Sequence, residues 1–147
     1  MKPFPPRFTL RHVVLMTACV ATMPVMAVAG MMEDVASLQT GWAGTNYQLK
    51  GDYQTKSFQT LSDRGDALVA KYPDAAEARI WNGIIKSSLA GAKGGLGALS
   101  LAKAARAELE KALRLDDQAL AGSAYTSLGT LYFKVPGWPI GFGDDHK

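Results

Sequence analysis

Cysteine and histidine are almost missing from this chain. Its 147 residues hold one cysteine, Cys19, and two histidines, His12 and His146. That scarcity excludes a disulfide scaffold, a Cys/His zinc site and a thiol–imidazole nucleophile pair. A Ser/His/Asp triad would depend on His146, which sits next to the last residue with no packing to orient it. The sequence therefore predicts no catalytic residues, no metal ligands and no cofactor. No stretch alternates apolar and polar residues for long enough to make a half-buried strand. Long apolar runs are absent too, with one exception at residues 13–28.

That exception is broken only by Thr17, Thr22 and Pro24. Before it lie Lys2, Arg7 and Arg11 and no acid; it ends in Ala27-Val28-Ala29, a small-x-small cleavage site. The layout predicts a secretory signal peptide over residues 1–29, cleaved after Ala29, and a periplasmic mature chain. The alternative is a lipoprotein anchored at Cys19, in Met16-Thr17-Ala18-Cys19, although its apolar core would be short. A spanning anchor would need ~20 apolar residues without an internal proline. Contact with a membrane is thus expected only through export or through lipid at Cys19.

Removing residues 1–29 changes the charge. The whole chain has 16 basic and 13 acidic residues, a formal +3. Three of the basic residues and none of the acids precede Gly30, so the mature chain has 16 − 3 = 13 of each and is neutral. The excess of positive charge belongs to the targeting segment and gives no reason to expect nucleic acid. The remaining 147 − 29 = 118 residues suffice for one domain, which must be held by its core.

Five segments carry apolar residues at helical spacing, at 33–48, 54–72, 75–90, 99–115 and 118–134. The first places Val35, Leu38 and Trp42 on one stripe; the second places Phe58, Leu61, Leu68 and Val69 on another and ends at Pro73. Trp81, Ile80, Ile84 and Ile85 mark the third, and Leu101, Ala105, Leu109 and Ala112 the fourth. The last carries Ala121, Ala124, Tyr125, Leu128 and Leu131. Short turns are expected after the first, second and fourth helices. Longer glycine-rich loops are expected at 91–98 and 135–143. Paired acids at Asp116-Asp117 and Asp144-Asp145 suit the caps of following helices.

The two long loops hold the same place in a repeat. Offset by 125 − 81 = 44 residues, Tyr125 falls on Trp81, Leu128 on Ile84, Ile140 on Leu96 and Gly141 on Gly97. A helix–loop–helix repeat of that size predicts a solenoid whose loops emerge on one face. Tyr125, Leu128, Gly129 and Tyr132 resemble the first helix of a tetratricopeptide repeat, with Gly129 expected to admit a partner helix. Ala105, Leu109 and Ala112 resemble the second helix of the repeat before it, whose first helix has Ile85 and Ser88 where glycine and tyrosine are usual. The expected fold is all-α, with antiparallel helix pairs stacked as a short tetratricopeptide-like solenoid over residues 30–147. The last repeat lacks a second helix, which leads us to expect a chain incomplete at its C-terminus.

The period exceeds the ~34 residues of an ordinary tetratricopeptide repeat. Together with Pro136-Gly137-Trp138-Pro139, Phe142-Gly143 and Gly94-Gly95-Leu96-Gly97, it resembles the T component associated with TRAP transporters. That resemblance implies an exported helical protein that assembles with itself or with a periplasmic substrate-binding protein. The alternative is a structural envelope protein with no small-molecule ligand.

Candidate binding residues are Tyr132, Pro136, Gly137, Trp138, Pro139 and Phe142 in the later segment, and Gly94, Gly95 and Gly97 in the earlier one. Residues 91–100 do not complete a phosphate-binding fingerprint: Ser100 replaces the third glycine, and a helix precedes where a strand is needed. Trp138 and Phe142 have two readings. They fold back as a plug on the core, or they line a slot, where aromatics dominate binding energy. If they line a slot, Trp138→Ala weakens partner capture with only a small fall in melting temperature; a large fall supports the plug.

Overall fold

The computed structural model describes residues 23–137, 139–144 and 146, so Cys19, Trp138, Asp145, Lys147 and most of the expected signal peptide lie outside it. The described residues form five helices: α1 (Met23–Gln48), α2 (Gly51–Lys71), α3 (Ala76–Lys93), α4 (Gly95–Leu115) and α5 (Ala119–Lys134). Helix α1 runs without a break across the expected cleavage point after Ala29. Among the described residues no helix is long and apolar enough to cross a membrane.

The expected stripes form the core. Val35, Leu38, Phe58, Leu61 and Leu68 join α1 and α2 to Ala78, Ile85 and Leu89 of α3. Ile80, Leu109 and Ala112 join α3 and α4 to Ala124 and Leu128 of α5. A third cluster, Ala90, Ala102, Ala105 and Leu131, closes the far end of α3. Fully burying a side chain such as Phe58, at 2% exposure, contributes about 2–3 kcal/mol. Each helix packs on the next in sequence. In addition α1 packs on α3, and α3 on α5. The result is two helix hairpins plus a third first-type helix, the all-α stacked arrangement expected from the repeat.

Small residues set how close the helices come. A Cβ at Gly41 would lie 2.7 Å from Leu61 Cδ2, one at Gly65 would lie 2.6 Å from Asn82 Oδ1, and one at Gly83 would lie 2.7 Å from Leu109 Cγ and 3.2 Å from the Ala105 carbonyl. Polar groups fix the register of the same contacts. The Arg79 guanidinium donates to the Pro73 carbonyl at 2.8 and 3.1 Å and to Glu108 at 2.8 Å, tying the α2–α3 turn to α4. Asn82 and Lys86 donate to Asp66 at 2.9 and 2.8 Å. The Trp42 indole donates to Ser88 at 2.8 Å and meets Trp81 edge-on at 5.9 Å.

Three expectations need correction. Residues 91–98 are not a loop: α3 continues to Lys93 and α4 starts at Gly95. Glycines cost about 1 kcal/mol each inside a helix, but Leu89, Ala90 and Ala102 are buried here, and that burial outweighs the cost. The chain reverses at Gly94, whose φ of 62° and ψ of −173° suit glycine alone. Gly129 admits no partner helix, because a Cβ there would meet nothing within 4 Å. Tyr125, expected on the buried stripe, is 54% exposed. The side of α5 on which a second helix would pack stays open. The start of α5 is also irregular, with Leu120, Ala121 and Gly122 in the left-handed region.

Because Gly83 sits against both a leucine side chain and a backbone carbonyl, Gly83→Ala is expected to destabilise the fold by about 1–3 kcal/mol, despite the better helix propensity of alanine. Chemical denaturation of the two proteins checks this, and an unchanged or raised midpoint would refute the close-approach argument.

Candidate functional site

The C-terminal segment returns to the helices. The Gly143 N–H donates to the Pro136 carbonyl at 2.9 Å, and the Asp144 N–H to the Tyr132 carbonyl at 3.0 Å. Ile140 and Gly141 N–H groups donate to the Gly137 carbonyl, at 3.2 and 3.0 Å. The crossing is so close that a Cβ on Gly143 would overlap the Val135 carbonyl. The loop is therefore a compact coil with its own backbone bonds.

Between this coil and the α3–α4 corner lies an apolar cleft of about 390 Å³. Ala90 and the 94–95 reversal form one wall, Leu99 and Ala102 of α4 the floor, and Leu131, Val135, Pro136 and Ile140 the other wall. Lys134 is its lysine, and no acid lines it. Leu96 and Ile140 stand at the rim, 98% and 71% exposed. The volume falls in the range of small-molecule and side-chain pockets, about 300–1,000 Å³.

Of the residues singled out from sequence, Gly94, Gly95 and Pro136 line this cleft. Gly97 does not; it faces the Lys93 side chain, with a Cβ position 3.3 Å from Lys93 Cε. Gly137 serves as the acceptor that closes the coil, and Pro139 is exposed. Phe142 does not line the cleft. It packs edge-on against Tyr132 at 5.7 Å, lies 4.5 Å beneath the Arg106 guanidinium and joins the third core cluster. For Phe142 the plug reading holds; Trp138 lies outside the described residues. Sequence reasoning missed Leu96, Leu99, Ala102, Leu131 and Ile140. A signal for two of them was present, since 140 − 96 = 44 places Leu96 and Ile140 at equivalent points of the repeat.

Two other clefts are less suited to a ligand. One, of about 250 Å³ between α1 and α2, is lined by Asp34, Arg64 and Lys71. Its charges already answer one another: Lys71 donates to Asp34 at 2.8 Å, and Arg64 to Ser37 at 3.0 Å. The hydrogen bond from Lys71 holds the Asp34 carboxyl below its ordinary range, and the same bond raises Lys71. Both groups are at the surface, so the pair adds little stability. The other, about 460 Å³, is an open hollow around Tyr72, Pro73 and Met31. Among the described residues no three His, Cys, Asp or Glu side chains are grouped to hold a metal. His146 donates its backbone N–H to the Asp144 carboxylate at 3.0 Å.

The packing of Phe142 predicts a structural cost for its loss. Phe142→Ala is expected to lower stability by about 1–3 kcal/mol, through lost burial, ring contact and cation–π attraction. Ile140→Ala, on the exposed rim, is expected to stay within about 0.5 kcal/mol. Thermal melts of both variants check the contrast, and equal melting temperatures would contradict it.

No family model matches the chain, and no curated protein or solved structure matches it either.

Proposed function

We propose that this chain is an exported, tetratricopeptide-like binding or scaffold protein that holds a protein partner at the apolar cleft. One observation carries the reading: two repeat-equivalent positions, Leu96 and Ile140, both exposed, flank a single apolar cleft. Exposed aliphatic side chains around a concave apolar surface suit capture of an apolar anchor from a partner. The signal-peptide layout of residues 1–29 supports a periplasmic location. The resemblance of residues 75–147 to the T component supports an accessory role beside a TRAP-type transporter, with its substrate-binding protein as the partner.

The packing of Phe142 favours a second reading, a structural envelope protein whose C-terminal coil only closes the stack. The two separate on one experiment. The immobilised chain is exposed to periplasmic extract and compared with a Leu96→Asp, Ile140→Asp double variant. A solute-binding protein retained by the first and lost at least tenfold by the second is the expected result, since each buried charge costs several-fold in affinity. Failure to retain any solute-binding protein would sink the transporter role. Equal retention by the two would move the contact away from the cleft.

A further inference from the structure

One edge of the stack gathers the end of α1, the start of α2 and the α3–α4 corner. The Thr55 hydroxyl donates to the Ala92 carbonyl at 3.4 Å, which joins the start of α2 to the end of α3. The Gln54 amide donates to the Thr45 and Asn46 carbonyls at 3.2 and 3.3 Å, which ties the end of α1 to α2. Among the five helices α2 touches α1 and α3 only, so its first turns stand a helix layer away from α5.

Two properties mark this edge. The first is protruding apolar side chains. Tyr53 is 79% exposed and Leu96 98%. Both stand in the first turn of a helix, and a helical side chain leans toward the N-terminus of its helix. Both therefore lean off the edge and away from the core. Tyr47, also exposed, lies beside them at the end of α1 and meets Trp42 edge-on at 5.9 Å. The second property is charge. Lys50, Lys56 and Lys93 are exposed here, and among the described residues none of the three is in an ion pair. Lys134 adds a fourth amine across the cleft. Among the described residues the acids beside them are Asp52 and, in the coil, Asp144. The opposite edge has the reverse balance. Its turns and the helix ends next to them carry Asp74, Glu77, Asp116 and Asp117 against Lys71 and Arg114, and Lys71 is already paired with Asp34.

We infer that the edge formed by the α1–α2 turn and the α3–α4 corner docks on an anionic lipid surface. Tyr53 suits the headgroup level, where a tyrosine buries its ring and keeps its hydroxyl wet. Leu96 suits the acyl boundary just beneath. It stands clear of its own protein, and a fluid interface accepts such a side chain without a matched cavity, whereas a protein partner has to supply one. The lysines around the two reach lipid phosphates on their long stems. The same surface repels the acidic edge, so charge fixes the orientation as well as the attraction. Few side chains enter the lipid, so the attachment is peripheral and reversible. It uses residues of the expected mature chain alone. It does not rest on the protein-partner reading, with which it shares Leu96.

The test uses the full chain with Cys19→Ser, and vesicles of phosphatidylcholine either alone or mixed equally with phosphatidylglycerol. Sedimented vesicles are expected to carry the chain when they are anionic, and much less of it when they are neutral or when salt is raised. Lys50→Glu with Lys56→Glu is expected to lower partition at least tenfold, since each lysine at a charged surface is worth about fivefold. Both positions are exposed, so the melting temperature is expected to stay unchanged. The same charge change at the other edge, Lys111→Glu with Arg114→Glu, is expected to leave partition within about twofold. A dye on Gln48→Cys is expected to be quenched by brominated lipid, and one on Asp116→Cys to be spared. These contrasts separate the edge from the apolar run at residues 13–28, whose own affinity for vesicles would ignore both lysine changes. No partition, equal partition onto neutral vesicles, indifference to the Lys50 and Lys56 changes, or equal quenching of the two dyes would each overturn the proposal. A chain that ignores vesicles yet retains a protein through Leu96 would give the edge to a protein partner instead.

Discussion

Helix α3 touches all four other helices, and the stack depends on its being approachable from every side. A surrounded helix normally reads as uniformly apolar. This one carries Arg79, Asn82 and Lys86, all buried, beside Ala78, Ile80, Ile85 and Leu89. The polar three are tolerated because the donor groups of each find a partner on α2, on α4 or in the turn between α2 and α3. Leaving Arg79 or Lys86 buried without its partner would cost several kcal/mol. Gly65 and Gly83 supply the room, one where α2 meets Asn82 and the other where Leu109 of α4 meets α3. Close backbone approach and buried, paired polar groups therefore act together: the first sets the spacing and the second forbids slippage along the axis.

From that centre the two ends of the molecule follow different rules. On the α1–α2 side, surface charges such as Lys71, Asp34, Arg64 and Asp63 solvate the outside. On the α5 side, Tyr125, Thr126, Thr130 and Phe133 are exposed with few charges among them, and an apolar cleft opens beneath the C-terminal coil. The exposed aliphatic side chains at the cleft, Leu96 and Ile140, lie on the α4–α5 half. Phe142, between Tyr132 and Arg106, ties the C-terminal coil to α4 and α5.

Much of the helical part was legible. Val35–Leu38, Phe58–Leu61–Leu68 and Ala105–Leu109–Ala112 repeat at helical spacing, and all are buried. The repeat offset also pointed at Leu96 and Ile140, beside the glycine and aromatic residues. Residues 91–98 misled because glycine content reports local propensity, whereas α3 and α4 are extended through it by packing against one another. Gly129 misled for the opposite reason. Its place in a familiar pattern promised a partner helix, but whether a neighbour arrives is decided by chain elsewhere. Phe142 could not be assigned between plug and slot because the answer lay with Tyr132 and Arg106, ten and thirty-six residues away (142 − 132 and 142 − 106).

By itself, then, the sequence determined helices, their apolar stripes, the repeat and the poverty of catalytic groups, because these rest on spacing and composition. Only the tertiary structure decided which glycines are contact points, which aromatics are buried and where a cleft lies. Those depend on the distance between segments remote in sequence, and no local pattern carries that distance.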